Sequence, residues 1–181
     1  MQGIIKVILN LFSRKFLIKI SLILKPFFEL IFRGDRFVDP INNKSYSYFF
    51  PYGYNKLRKN ALSPGTLSLE RHRLLWIFLE KETDFFNTEN KILHIAPEQC
   101  FYKSFKKNFE SYTTCDLNSP IAEIKADVCN LPFDENEFDF VLCNHVLEHV
   151  YDDERAMKEI YRVLKHEGKA ILQVPLDNTL E

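Results

Sequence analysis

The chain has 181 residues, is 46% hydrophobic and carries a formal net charge of −1, which is enough apolar material for one buried core with an appendage. The charge is unevenly distributed. Residues 1 to 60 hold 11 Lys and Arg against 3 Asp and Glu, whereas residues 61 to 181 hold 13 against 22. An acidic body argues against an enzyme that grips nucleic-acid phosphates, so we predict no nucleic-acid partner, and the basic front end favours an anionic surface such as a membrane.

Residues 4 to 25 are rich in Ile, Leu, Val and Phe, but basic residues interrupt them, so no uncharged stretch approaches the roughly 20 residues that span a bilayer. The pattern predicts an amphipathic helix in the membrane interface, followed by a second short helix over residues 26 to 33 that Gly34 ends. Two other interpretations compete: a cleaved signal peptide, which the interrupted apolar stretch disfavours, and a helical hairpin packed on the protein's own core. We expect a basic helical segment over residues 1 to 34, with peripheral membrane contact through residues 1 to 33.

Residues 35 to 67 contain short aromatic stretches bounded by Pro, Gly and Asn, typical of a small β-hairpin element. The spacing of four positions within it imitates the paired knuckles of a zinc ribbon: Asp39, Asn42, Ser63 and Thr66. None of the four is Cys or His, the ligands that close a structural zinc site. We therefore predict no metal here.

Residues 68 to 86 predict an amphipathic helix, and from residue 91 onward apolar strand-like stretches alternate with helical ones. This alternation predicts a Rossmann-like α/β fold, a doubly wound parallel sheet covered by helices, over residues 68 to 181. Ligands of such sheets bind beyond the carboxyl ends of the strands. Small or polar residues stand at all of these predicted strand ends: Ala96, Glu98, Asp116, Asp127, Val128, Asn144 and His145.

The stretch "KILHIAPEQCF", residues 91 to 101, places the first strand before a helix without any glycine between them. A phosphate group at the start of that helix would need close approach to the backbone, and Glu98 would repel it. S-adenosylmethionine has no phosphate and carries an α-ammonium with which Glu98 could pair. The stretch therefore favours this cofactor over NAD or ATP.

Residues 91 to 175 resemble the class I S-adenosylmethionine-dependent methyltransferases, particularly the type 11 group. The resemblance rests on "KILHIAPE", "TTCD", "ADVCNLPFDENEFDFVLCNHVLEHV" and "EIYRVLKHEGKAILQVP". Members usually carry an acidic residue and glycines where this chain has His94, Ala96, Glu98 and Cys100.

The resemblance implies that Asp116 binds the ribose, that Asp127 and Val128 lie near the adenine, and that Ala96 and Glu98 lie at the methionine end. We also expect His94 and Asn144 to be cofactor-binding residues. The resemblance also places Asn144 and His145 on the floor of the site, toward the acceptor. An imidazole can serve as general base where the acceptor must lose a proton, so His145 and His149 are the candidate catalytic residues.

Family members usually add a two-strand hairpin after the fifth strand, where this sequence stops, so we expect a shortened substrate wall. Two functions stay open: a methyltransferase acting on a small-molecule, lipid or glycan-type acceptor, or a non-catalytic module that binds a membrane or protein partner. The four cysteines form no CxxC pair, as is typical of reduced thiols in the cytoplasm, and we expect a cytoplasmic protein that can lie on the inner membrane surface.

Overall fold

The computed structural model describes residues 14–53 and 56–176, which form two compact units, one up to Phe78 and one from Leu79. The first half of the predicted basic helix lies outside the described residues. The predicted division into segments 1–34, 35–67 and 68–181 is retained as a proposal. Within the described ranges, no helix has both the length and the apolar character that crossing a bilayer requires.

The first unit contains one long helix, two small hairpins and, at its end, the greater part of the helix Glu70–Glu82. Helix α1 is Arg14–Ile31, and the strands are β1 Arg33–Asp39, β2 Lys44–Tyr46, β3 Phe50–Tyr52 and β4 Arg58–Leu62. Strand β1 pairs antiparallel with β2, and β3 pairs antiparallel with β4. Helix α1 continues through Pro26, and Gly34 lies inside β1, so the expectation of a separate second helix ended by Gly34 is wrong. Proline disfavours a helix interior by removing one donor, but the turns on either side of Pro26 remain helical.

Hydrogen bonds close the element that imitates a ribbon. The fully buried Asp39 accepts bonds from the Thr66 hydroxyl at 2.5 Å and from the backbone N–H of Ile41 at 3.0 Å. Ser63 Oγ accepts from the backbone N–H groups of Gly65 and Thr66. In the described ranges no three His, Cys, Asp or Glu side chains stand close enough together to hold a metal ion. The two segments that imitate zinc knuckles are thus joined by the hydrogen bond between the Thr66 hydroxyl and the buried Asp39 carboxylate.

The second unit is a parallel sheet with helices on both faces. Helix α2, Glu70–Glu82, leads into it from the first unit, and its strands and helices follow: β5 Ile92–Ile95, α3 Gln99–Asn108, β6 Tyr112–Asp116, β7 Ile124–Lys125, β8 Phe138–Asn144, α4 Asp153–Val163 and β9 Leu164–Gln173. The strand order is β7-β6-β5-β8-β9, and every neighbouring pair is parallel. The doubly wound order expected from the sequence is confirmed.

The two faces of this sheet bury different side chains. On one face, Ile160 of α4 packs in a cluster with Leu93 and Val141 of the central strands. On the other face, Phe105 of α3 contacts the rings of Phe85 and Tyr112. The alternation of side chains along β5 produces this division, because successive residues of a strand point to opposite faces.

Burial also separates the thiols. Cys115 and Cys143 are buried on β6 and β8, and burial raises the pKa of each thiol to about 12. Cys100 and Cys129 are partly exposed. None of the four forms a disulfide.

Candidate functional site

Three parallel strands end side by side at one edge of the sheet. Ile95, the last residue of β5, stands opposite Cys115 of β6 and Cys143 of β8. A cleft of about 560 Å³ opens beyond these strand ends, which lies within the usual range for small-molecule sites. Six of the nine residues predicted from the sequence line this cleft: Ala96, Asp116, Asp127, Val128, His145 and His149. The other three, His94, Glu98 and Asn144, do not line the cleft. They form a hydrogen-bonded cluster at the ends of β5 and β8 and the start of α3, in which His94 and Asn144 are buried and the Glu98 side chain is 16% exposed.

The turn after β5 is made without glycine. Ala96 has a φ of +51°, in the left-handed region that costs a non-glycine residue about 1 to 2 kcal/mol. Its backbone N–H donates to the carbonyl of Cys115 at 2.8 Å, which holds the turn against β6. Glu98 precedes the first turn of α3. Ala96 thus takes the backbone conformation that a glycine would adopt without strain.

Asp116 and Asp127 each order the loop that follows them. Asp116 Oδ1 accepts bonds from the backbone N–H of Asn118 at 2.6 Å and of Ser119 at 2.5 Å. Asp127 Oδ1 accepts from the backbone N–H of Cys129 at 2.9 Å. These bonds fix both carboxylates at the rim of the cleft, and each carboxylate retains acceptor capacity on its other oxygen.

The two candidate bases stand on the β8 side of the cleft. His145 follows β8 with a φ of +55°, and its backbone N–H donates to Gln173 at 2.7 Å. Its ring Nδ1 is 3.2 Å from Glu148 Oε1, a contact that orients the imidazole. His149 ends the short 3-10 helix Leu147–His149, and its backbone N–H donates to the carbonyl of Val146 at 2.9 Å.

Charges around the cleft are mostly negative. Three carboxylates line it, on Asp116, Asp127 and Asp152, against one guanidinium, on Arg155. A cleft with this charge favours a cationic ligand and disfavours a polyphosphate. Sequence reasoning missed Asp152 and Arg155 because they belong to the start of α4, and a capping pattern there is explained by the helix itself.

The three residues outside the cleft form a chain of hydrogen bonds. His94 is fully buried, with Nε2 2.6 Å from Glu98 Oε2 and Nδ1 2.8 Å from the hydroxyl of Tyr112. Asn144, 4% exposed, lies with Nδ2 3.5 Å from the same Glu98 oxygen. Tyr112 was missed by sequence reasoning, because a tyrosine in an apolar strand is usually a packing residue.

Residues 89–172 match the family model of the methyltransferase domain. An uncharacterised protein of Methanocaldococcus jannaschii is 50% identical over 52 residues, which are 29% of this chain and 23% of that protein. The 2-phytyl-1,4-naphtoquinone methyltransferase of Nostoc punctiforme is 46% identical over 52 residues, again 29% and 23% of the two chains. The matched part thus spans only 23% of the length of these two curated relatives.

Among solved structures, the cyclase SpnF superposes on this chain with a TM-score of 0.51 at 16% identity, covering 86% of this chain and 59% of the other. At that identity the superposition shows the fold alone. The same sheet serves a protein named as a cyclase, so the reaction must be argued from the site and not from the fold.

Proposed function

We propose that the chain binds S-adenosylmethionine and transfers its methyl group to a small-molecule acceptor. The match of residues 89–172 to the family model of the methyltransferase domain supports this proposal. The observation that carries the proposal is the acidic cleft beyond the ends of β5, β6 and β8. A sulfonium cofactor without phosphate groups suits its charge.

In this proposal, Asp116 binds the ribose of the nucleoside and Asp127 binds the adenine. Asp116 ends β6 and lines the cleft, and its free oxygen accepts hydrogen bonds from ribose hydroxyls. Asp127 and the 6% exposed Val128 lie on the next loop and receive the adenine, one with a polar group and one with an apolar surface. Ala96 admits the methionine end at its turn, and the carboxylate of Glu98 pairs with the α-ammonium.

The bound cofactor would supply an electrophilic methyl group, and the protein would contribute alignment and the exclusion of water. His145 lies on the acceptor side and is oriented by Glu148. Its imidazole takes the proton from an acceptor that must lose one, and His149 is the second candidate for that role.

We propose a lipid or another largely apolar small molecule as the acceptor. The support is the name of the Nostoc punctiforme relative, a naphtoquinone methyltransferase, together with the exposed apolar face of helix α1. The described part of α1 presents six apolar side chains at a helical spacing of three or four, each at least 37% exposed: Ile20, Ile23, Leu24, Phe27, Leu30 and Ile31. We call these six residues the outer stripe.

The opposite side of α1 packs on the hairpins of its own unit. Phe28 and Phe32 contact the ring of Phe50 with centroids 5.6 and 4.8 Å apart, and Glu29 pairs with Lys44 at 2.6 Å. The helix therefore directs apolar residues outward as well as inward. Residues 1 to 33 contain six Lys and Arg against one Glu, so an anionic membrane surface complements both the charge and the stripe. We propose a cytoplasmic protein that contacts the inner membrane surface through this helix.

Calorimetric titration with S-adenosylmethionine and S-adenosylhomocysteine tests the enzymatic proposal. We expect binding of both, and we expect Asp116→Ala to weaken both at least tenfold, because about 1.4 kcal/mol corresponds to a factor of ten and a charged hydrogen bond contributes about 1.5 to 3 kcal/mol. Asp134→Ala, in an exposed loop between β7 and β8, is the matched control and should bind like the wild type. If neither ligand binds at millimolar concentration, the chain is a non-catalytic module and the proposal is wrong.

A further inference from the structure

A chain of three polar side chains crosses the face of the sheet that α3 covers. It runs from Tyr112, 3% exposed, through the fully buried His94 to Glu98 at the start of α3. The two links measure 2.8 and 2.6 Å. The rings of Phe101 and Phe105 lie 6.4 and 6.0 Å from the His94 ring, so the imidazole is held in an apolar surround.

The direction of each hydrogen bond follows from the groups involved. Burial raises the pKa of the Tyr112 phenol well above its ordinary value, so the hydroxyl stays protonated and can donate a hydrogen bond to Nδ1 of His94 in the tautomer that leaves this nitrogen without a proton. The imidazole then carries its own proton on Nε2 and donates to the Glu98 carboxylate, which only accepts when ionised. A neutral imidazole therefore suffices to orient the carboxylate, and both ring nitrogens are occupied.

Asn144 adds a second acceptor at the same place. Its Nδ2 faces Glu98 Oε2 at 3.5 Å, while its Oδ1 is buried and has no hydrogen-bond partner among the described residues. Gln173, which stands opposite Asn144 in the register of β8 and β9, likewise has a buried Oε1 without a partner in the described ranges. A buried acceptor that lacks a donor costs about 1 to 3 kcal/mol, so a ligand that donates hydrogen bonds to these oxygens would remove that cost.

We propose that Tyr112 and His94 are positioning residues that hold Glu98 so that its carboxylate, together with the Asn144 carbonyl, receives the primary ammonium group of an amino-acid ligand. An ammonium offers three N–H donors and a positive charge, which matches one carboxylate and one or two amide oxygens. This inference rests on the proposed function, in which the amino-acid part belongs to S-adenosylmethionine. It extends that function by assigning ammonium recognition to a relay that includes a residue of β6.

Two ligands distinguish ammonium recognition from general damage to the site. S-adenosylhomocysteine carries the ammonium, whereas 5′-methylthioadenosine shares the nucleoside and lacks the amino acid. In calorimetric titrations of the whole protein, we expect Tyr112→Phe, His94→Gln and Glu98→Gln each to weaken S-adenosylhomocysteine by about tenfold, as for the loss of one charge-assisted bond. Binding of 5′-methylthioadenosine should change less than twofold.

A double variant tests whether Tyr112 acts through Glu98. In a Glu98→Gln background, Tyr112→Phe should produce little further loss, because coupled residues are not additive. Tyr102→Phe is the matched control, because the Tyr102 hydroxyl lies 3.5 Å from Glu123 and takes no part in the hydrogen bonds that link Tyr112, His94 and Glu98. This variant should bind S-adenosylhomocysteine and 5′-methylthioadenosine like the wild type.

The outcomes separate the two claims. A wild type that binds S-adenosylhomocysteine, with variants that weaken both ligands equally or neither, overturns the positioning role and leaves the proposed function standing. Full additivity of the double variant overturns it as well. A wild type that binds neither ligand overturns the proposed function and the ammonium site with it.

Discussion

At the scale of single residues, two non-glycine residues in the left-handed region shape the edge of the cleft. Ala96 and His145 each follow a central strand, and their φ angles are +51° and +55° respectively. Each also donates its backbone N–H to a neighbouring strand, at 2.8 and 2.7 Å. The strain is therefore offset by bonds that tie the strand ends together, and strain of this kind concentrates where ligands are held.

Substitutions at Ala96 measure that strain. Ala96→Gly should leave the free energy of unfolding within about 1 kcal/mol of the wild type or raise it, because glycine adopts a positive φ without steric cost. Ala96→Val should lower it by about 1 to 3 kcal/mol, since a β-branched side chain is poorly tolerated there. Urea unfolding checks both values. Ala122→Val, in a loop without a positive φ, should have the smaller effect, and an equal effect at the two sites would contradict this account.

Sequence reasoning at this scale predicted the location of a residue correctly where that location follows from the pattern of strands. Asp116 and Asp127 line the cleft because strand ends in a parallel sheet meet at one edge. It failed for the partner of His94, because Tyr112 lies 18 positions away and the pairing depends on the register of two strands under one helix. The roles of the nine predicted site residues stay predictions.

At the scale of elements, one ion pair holds a loop onto helix α4. Arg162 donates to the carbonyls of Leu131 and Phe133 at 2.9 and 2.8 Å, and Glu159 accepts from the backbone N–H of Leu131 at 2.8 Å. The two side chains also bond each other at 2.8 Å. The hydrogen bond from Arg162 lowers the pKa of the Glu159 carboxyl to about 2.

Acid should release this loop. Because the pKa of Glu159 is lower in the folded chain than in the unfolded one, its stabilisation is complete above the ordinary glutamate pKa and disappears as the pH falls toward about 2. Glu159→Gln should lower the free energy of unfolding by about 1 to 3 kcal/mol at pH 7. Urea unfolding at pH 7 and pH 3 should show the difference from wild type shrinking.

A control on the same helix excludes a general charge effect. Glu154 and Lys158 are 3.7 Å apart with both side chains 79% exposed, and such surface pairs contribute little. Glu154→Gln should stay within about 0.5 kcal/mol of wild type. A pH-independent difference for Glu159→Gln would refute the assignment.

Element boundaries were less predictable than element types. The stretch "DDERAMKEIYRVLK", residues 152 to 165, has apolar residues at helical spacing, and Gly168 follows it as a residue that can end a helix. This pattern predicts a helix up to residue 165, but α4 ends at Val163 and β9 begins at Leu164. A shift of register between Phe138 and Phe140 accommodates the early strand. Gly168 lies at this irregularity, where a side chain would come within 2.9 Å of the Lys165 carbonyl. A bulge of this kind depends on how two strands pair, so the sequence pattern of one strand alone does not predict it.

At the scale of the whole molecule, the order of the five-stranded sheet was predictable and the surfaces were not. Alternating strands and helices leave few possible topologies, and the observed order β7-β6-β5-β8-β9 is a doubly wound order of the predicted kind. The outer stripe shows the contrast, because an amphipathic pattern indicates one apolar face but not what covers it.

Vesicle flotation of the whole protein tests whether the outer stripe contacts lipid. We expect co-flotation with vesicles of phosphatidylglycerol and phosphatidylcholine, and weaker co-flotation with phosphatidylcholine alone. Phe27→Ser with Leu30→Ser, at residues 58% and 73% exposed, should reduce the bound fraction about tenfold or more, since each buried large side chain contributes about 1.5 to 3 kcal/mol. Leu74→Ser, at a residue 67% exposed on α2, is the matched control. Equal binding by all variants would exclude the stripe as the contact.

Because Cys115 and Cys143 are buried in the sheet, their reactivity reports whether the sheet is folded. With a pKa of about 12, only about one in 10⁵ of these thiols is ionised at pH 7, so alkylating reagents reach them slowly while the strands are paired. We expect the partly exposed Cys100 and Cys129 to react before the two buried thiols. The ratio of alkylation at Cys115 and Cys143 to alkylation at Cys100 and Cys129 therefore measures the fraction of molecules in which the sheet has opened. The same ratio can compare the variants named above.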